Sequence, residues 1–356
     1  MQSTKKIAII PGDGIGIDVT REVVKALNKI QNIYNLPLQI NHFDFGAERY
    51  LRDGTTMPEK QVEDFRKNYD AIFIGALGDP RVPDMTHARD ILLGLRFKLD
   101  LFVNYRPIKL TDPKLCPLKN KSEKDVDFVV LRENTEGLYV GMGGIFKKGT
   151  ADEIATQEDV NTRKGVERII RYAFEFARQK GRPKVTMSDK SNALRFGHDL
   201  WLRTFEEVGA EYPNIEKEHM YVDALTMQMV KRPEQFEVIV TCNMFGDIVT
   251  DLGAQIQGGM GLAASGNINP QSTSMFEPVH GSAPKYAGKN IANPLAALLT
   301  LGLMLDYLGY SEPNAVLEKA VVEAIRSDNT TKDLGGNLGT EEVGNFVCDK
   351  IQHFSA

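Results

Sequence analysis

Asp247 and Asp251 stand four residues apart in the stretch Val238-Ile-Val-Thr-Cys-Asn-Met-Phe-Gly-Asp247-Ile-Val-Thr-Asp251. On a helix that spacing puts two carboxylates on one face, roughly 6 Å apart, with their oxygens pointing the same way. Such hard donors suit Mg²⁺ or Mn²⁺, which take one or two carboxylates and leave other positions to water and ligand. The competing reading is an acidic residue favouring a helix N-terminus, with an unrelated surface aspartate beside it. Arg96, Arg106 and Arg132 each end or follow a separate element. Singly each has an ordinary surface explanation; together they form a set able to clamp a molecule with more than one carboxylate, because the guanidinium fork matches carboxylate oxygens in pairs. Lys190 follows an apolar strand expected at 184–188 and is either a surface residue or a desolvated general base. The next strand end, at 221–223, repeats the pattern with Asp223.

The elements that must position these groups alternate. Short β-branched runs at 6–11, 39–45, 69–75, 126–131, 184–188 and 238–241 read as strands, mostly buried, and apolar positions at helical spacing mark helices at 19–30, 58–67, 91–101 and 165–178. Alternation of this kind argues an α/β sheet with parallel strands. The turn 242–246 then leads into a helix opened by Asp247, and residues 258–261 and 264–270 read as loops. Gly12-Asp-Gly14-Ile-Gly16 after the first strand is a tight turn that invites a dinucleotide reading, but Ile17 follows and the third glycine of the fingerprint is missing, so a purely structural turn reads at least as well. A loop of small and polar residues, 277–294, surrounds His280 and offers the close backbone approach that a phosphate or adenine needs, although a histidine there is more often simply hydrogen-bonded. Residues 139–158 are Gly-rich and then alternate, as an arm outside the core does; 295–308 is a buried helix and 314–326 an amphipathic one.

At 356 residues the chain fits about two domains. A net charge of −5 supplies no field to attract nucleic acid or an acidic membrane, and no apolar run approaches the ~20 residues of a membrane span. The N-terminus lacks a secretory pattern, and Cys116, Cys242 and Cys348 lie far apart as free thiols do, so a cytoplasmic enzyme is expected.

Taken together, Gly12–Gly16, Asn104-Tyr-Arg-Pro107, Arg132-Glu-Asn-Thr-Glu-Gly-Leu-Tyr139, Asn243-Met-Phe-Gly-Asp-Ile-Val-Thr-Asp251 and Glu277-Pro-Val-His-Gly-Ser-Ala-Pro284 resemble the isocitrate/isopropylmalate dehydrogenases, the metal-dependent decarboxylating 2-hydroxyacid dehydrogenases. The resemblance runs from residue 6 to about residue 350 with the motifs in order. It implies an isopropylmalate-dehydrogenase-like, non-Rossmann α/β fold of two domains with a catalytic cleft between them. Residues 1–102 with 258–356 would form the discontinuous cofactor domain. Residues 103–257 would carry substrate, metal and dimer contacts, with a protruding arm at about 139–160. By the same resemblance Asp247 and Asp251 bind Mg²⁺ or Mn²⁺ beside Asp223 of a second subunit, and Arg96, Arg106 and Arg132 bind carboxylates. Lys190, also contributed across the homodimer, takes the hydroxyl proton, and Tyr139 protonates C3. Asn192, His280, Gly281, Ser282, Ala283, Lys285, Tyr286 and Asn293 match cofactor positions.

The substrate branch turns on the recognition helix. Isocitrate enzymes present Ser and Asn where this chain has Asp90 and Leu92, so a hydrogen-bonding site for a third carboxylate is lost. Homoisocitrate enzymes can carry an extra Arg where Leu93 stands. The apolar pair Leu92-Leu93 resembles that of 3-isopropylmalate and tartrate/D-malate dehydrogenases, and a malate with a small or apolar C3 group is expected. Arg89 and Glu133-Asn-Thr-Glu-Gly137 depart from the usual isopropylmalate pattern, and 149–177 lies closer to the tartrate/D-malate branch. Lys285-Tyr286 stand where NAD-dependent members place Asp, so NADP⁺ is favoured over NAD⁺ because a cation suits a 2′-phosphate. The alternatives are an isocitrate or homoisocitrate enzyme, or a non-catalytic regulatory subunit, whose paralogues usually lose metal or arginine positions that are all kept here.

Overall fold

The computed structural model describes residues 4–355. Among them twelve strands run in chain order: β1 Lys5–Ile10, β2 Leu38–His42, β3 Ala71–Ile74, β4 Val103–Lys109, β5 Asp127–Glu133, β6 Gly143–Phe146, β7 Ile154–Gln157, β8 Lys184–Asp189, β9 Glu216–Tyr221, β10 Val238–Thr241, β11 Ala264–Ile268 and β12 Ser274–Pro278. They divide between two compact units. The first takes in the chain up to Leu101, Leu110–Glu123 and everything from Ala254 on; the second is Phe102–Lys109 with Lys124–Gly253. Residues 110–123, expected with the second domain, belong to the first: Lys114 Nζ donates to Ile325 O (2.6 Å) and Asp328 Oδ1 (2.7 Å).

In the first unit the strand order is β2-β1-β3-β12-β11, parallel except for β11 against β12. Helices cover both faces, which is why β1 and β3 read as unbroken apolar runs. Alternate residues go to opposite cores. Ile7, Ile9, Phe73 and Phe276 pack with the helices Ile15–Tyr34, Leu295–Tyr307, Ser311–Arg326 and Thr340–Phe354, whereas Ala8, Ile10, Ile72, Ile74 and Met275 meet Phe65, Ile91 and Leu95. Residues 264–268, expected as loop, form β11 and are fully buried. Small residues mislead here: a Cβ on Gly266 would press on the Phe276 ring at 3.0 Å, so glycine serves packing rather than a turn.

Gly14 does need its conformation. Its φ is +55°, and a Cβ there would collide with Ser282 O, whose carbonyl accepts the Ile15 N–H at 2.8 Å. Gly14→Ala should cost about 2 kcal/mol and lower Tm by roughly 4–8 °C, as read by calorimetry.

In the second unit the order is β4-β5-β10-β8-β9, with β4 antiparallel to β5 and the remainder parallel. The helix Arg163–Lys180 buries Val166, Ile169, Ile170, Ala173, Phe174 and Ala177; Thr162 caps it by accepting the Gly165 N–H, and Gly181 ends it in the left-handed region. The hairpin β6–β7 exposes Ile145, Phe146 and Ile154, each by more than half. Two helix starts differ from expectation. The helix carrying both aspartates begins at Asn243, so Asp247 sits in its second turn, away from the N-terminal dipole. The helix carrying Arg96 begins at Thr86 rather than Ile91. No helix among the described residues is long and apolar enough to cross a membrane.

Candidate active site

One face of the helix Asn243–Gln257 organises the site residues of the second unit. Asn243, Asp247, Thr250 and Asp251 fall at i, i+4, i+7 and i+8, so all four point the same way. Facing them, the register of β4 with β5 sets Asn104 opposite Arg132 and Arg106 opposite Val130, which places both arginines on one side of the ribbon. Arg132, 1% exposed, pairs with Asp247 Oδ1, and donates from Nε (3.0 Å) and Nη2 (2.7 Å) to Asn243 Oδ1. Arg106 donates from Nε to Asn104 Oδ1 (2.8 Å) and from Nη1 to Thr250 Oγ1 (2.9 Å), with Asp251 Oδ1 4.0 Å away. Gly246 is what lets the helix approach, since a Cβ there would overlap the Arg132 stem. It is not a turn glycine.

Tyr139 closes this group. Its hydroxyl donates to Asp247 Oδ2 at 3.0 Å, and its ring lies 5.2 Å from the Arg132 guanidinium carbon. Burial and the Asp247 charge push the phenol above its usual range against the pull of Arg132, so Tyr139 keeps its proton at neutral pH. Burial would lift the Asp247 carboxyl too, but the charges of Arg132 and Arg106, helped by hydrogen bonds from Tyr139 and Arg132, hold it below the usual range. Asp251 goes the other way, raised by burial and by the charge of Asp247. Adjacent carboxylates that repel each other, on one helical face and rich in hard oxygens, fit a divalent cation. Among the described residues no three His, Cys, Asp or Glu side chains gather for a metal. Asp223, expected at a strand end, lies in the first turn of the helix Val222–Lys231 and pairs with Lys190 Nζ at 2.6 Å.

Lys190 follows directly on β8, and its backbone N–H donates to His198 Nδ1 at 2.9 Å. That bond fixes the imidazole with its proton on Nε2, which faces Asp159 Oδ2 at 3.5 Å. His198 is buried and holds the Lys190 backbone; nothing in the local sequence announces it. Asn192 is exposed two residues further on and belongs to the second unit.

The other cofactor candidates belong to the first unit. His280 donates from Nδ1 to Gly281 O (3.1 Å), leaving Nε2 a buried acceptor with no partner, and burial lowers the ring's pKa so that it stays neutral. Ser282 is buried, Ala283 takes the left-handed φ of +35°, and Lys285 lies over the exposed Tyr286 ring at 4.7 Å. Asn293 donates to Asp333 Oδ2 (2.9 Å) and accepts the Leu295 N–H (2.9 Å), which holds the loop to the following helix. Asp13, read as a turn residue, is a buried hub: it accepts from Ala47 N (2.6 Å), Gly78 N (2.8 Å) and His87 Nε2 (2.9 Å). On the helix Thr86–Lys98, Leu92 and Leu93 lie half-buried one turn before Arg96. Arg96 donates from Nη2 to Glu277 Oε1 (2.7 Å), which also accepts from Asn267 (2.8 Å), while Arg96 Nε is a buried donor without a partner.

The family model for isocitrate/isopropylmalate dehydrogenase matches residues 6–347. A 3-isopropylmalate dehydrogenase of Thermobifida fusca (strain YX) is 46% identical over 350 residues, covering 98% of each chain, and one of Streptomyces griseus is 44% identical over 353 residues, covering 99% of each. Among solved structures, an isocitrate dehydrogenase from Methylococcus capsulatus superposes with a TM-score of 0.85 at 36% identity, over 98% of this chain and 99% of that one. The TT0538 protein from Thermus thermophilus gives 0.87 at 36% identity, over 97% of this chain and 68% of that one. Fold and matches define a decarboxylating dehydrogenase acting on a CH–OH group, α/β and non-Rossmann. The chain belongs to the isocitrate/isopropylmalate dehydrogenase family.

Proposed function

We propose that this protein carries out the metal-dependent oxidative decarboxylation of a 3-substituted malate, 3-isopropylmalate foremost, with NAD(P)⁺ as acceptor. The observation that carries the substrate is on the helix Thr86–Lys98: a buried guanidinium with an unpartnered Nε, one turn from the apolar pair Leu92-Leu93. A carboxylate takes the first and a branched alkyl group the second. Relatives named 3-isopropylmalate dehydrogenase at 44–46% identity support the same substrate. The test is a set of initial rates with Mn²⁺ over 3-isopropylmalate, D-malate, L-tartrate, isocitrate and homoisocitrate. A dominant rate on 3-isopropylmalate is expected; a dominant rate on isocitrate overturns the assignment.

Asp247 and Asp251, with Asp223 of a second subunit, would hold Mg²⁺ or Mn²⁺, whose charge would polarise the C2 oxygen and offset the negative charge that develops there. A bound nicotinamide would supply the acceptor for the C2 hydride. Arg106 and Arg132 hold carboxylate oxygens in a fixed orientation, with Arg96 as the third cation. Lys190 takes the C2 hydroxyl proton, and Tyr139 delivers its proton to C3 after CO₂ leaves. A homodimer with shared sites suits a chain in which Asp223 pairs with Lys190 and no three candidate metal ligands gather among the described residues, and the apolar hairpin β6–β7 asks for cover. Three free cysteines suit a reducing cytoplasm.

His280, its Nε2 an open acceptor, and the 281–286 loop would bind the nucleotide, with Lys285 favouring a 2′-phosphate. Lys285→Asp is expected to shift the NADP⁺/NAD⁺ ratio of kcat/KM by about 10-fold or more toward NAD⁺. An unchanged ratio removes Lys285 from the account.

A further inference from the structure

We propose that Asn243 is a positioning residue that sets the substrate arginine and the proton donor together. The proposal rests on the reaction proposed above and goes beyond it. Asn243 is the first residue of its helix, and Cys242, whose carbonyl accepts the Gly246 N–H at 2.9 Å, holds the capping position, which leaves the Asn243 side-chain oxygen for other contacts. Here that oxygen is turned to Arg132, accepting from both Nε (3.0 Å) and Nη2 (2.7 Å). The same amide donates from Nδ2 to Glu136 O at 3.0 Å. Glu136 begins the short segment Glu136-Gly-Leu-Tyr139, and Tyr139 then reaches Asp247. Gly137 takes a φ of +77° in that segment, and its N–H donates to Val160 O at 2.8 Å, so the tether at Glu136 acts on a chain already constrained on its other side.

Only a carboxamide serves both ends. An aspartate keeps an acceptor for the guanidinium but sets an oxygen against Glu136 O; a leucine of similar size serves neither. The two ends therefore come apart by mutation. In the dimeric holoenzyme with Mn²⁺ and 3-isopropylmalate, Asn243→Asp is expected to keep KM within about 3-fold while kcat falls about 10-fold, with slower solvent-deuterium exchange at C3 of the 2-oxo product, the step assigned to Tyr139. Asn243→Leu is expected to raise KM and to lower kcat/KM about 10- to 100-fold or more, since the buried Arg132 loses the oxygen that accepts from both its Nε and its Nη2. Equal losses in the two variants, with the KM-to-kcat pattern identical, overturn the proposal. A crystal structure of Asn243→Leu provides the arm that is independent of turnover: displacement of the Arg132 guanidinium and of 136–139 supports it, and both unmoved overturns it. A wild-type enzyme silent on 3-isopropylmalate would instead count against the substrate assignment, and the structural arm would still judge Asn243.

Discussion

Lys190→Met is expected to lower kcat by about 10²- to 10⁴-fold, the usual yield of a positioned base, with a much smaller change in KM. Methionine keeps the length of the stem and removes the terminal nitrogen, which lies 2.6 Å from Asp223 Oδ1. The backbone at 190 is pinned by His198, so the substitution leaves the end of β8 in place and the loss belongs to the side chain. A variant within a few-fold of wild type removes Lys190 as the base.

Asp247→Asn carries the second large effect. The substitution keeps the shape, yet takes one formal charge from a site where Arg132 and Arg106 already hold the carboxyl ionised. Two consequences follow from the geometry. The Mn²⁺ concentration needed for half-maximal activity should rise by about 10²-fold or more, because a neutral amide oxygen replaces one of two carboxylates on the helical face. Arg132, 1% exposed, also loses its anionic partner, and truncating one side of a buried pair costs about 3–5 kcal/mol at most, less here because the aspartate is 42% exposed. Saturating Mn²⁺ should therefore restore part of kcat but not all of it. Full activity at the wild-type metal concentration contradicts the assignment of Asp247.

How much of this was legible in the sequence depends on the distance over which each signal acts. The i, i+4 spacing of Asp247 and Asp251 is local, and one helix does present both on a common face. The three arginines were visible as residues, but their grouping was not: the β4–β5 register places Arg106 and Arg132 together in one unit, whereas Arg96 stands in the other, paired with Glu277. Glycine misled twice. Gly246 read as a turn and is a clearance for the Arg132 stem, and Gly266 read as a loop and packs beneath Phe276. Asn243, His198 and Asp13 were beyond reach for a different reason. Each acts through hydrogen bonds to residues 8 to 111 positions away, and no local pattern distinguishes such a residue from a cap, a core histidine or a turn. The helices Gly197–Gly209 and Thr340–Phe354, additional to those the apolar spacing picked out, complete the cores of the second and first units.

The measurement that bears most directly on the whole account is the stoichiometry of the reaction with 3-isopropylmalate, Mn²⁺ and nucleotide, following CO₂ and reduced nicotinamide together before and after a chelator. The account predicts equal amounts of the two products, both abolished by chelation and both restored by Mn²⁺. Reduced nicotinamide formed without CO₂, or turnover indifferent to the chelator, would contradict it.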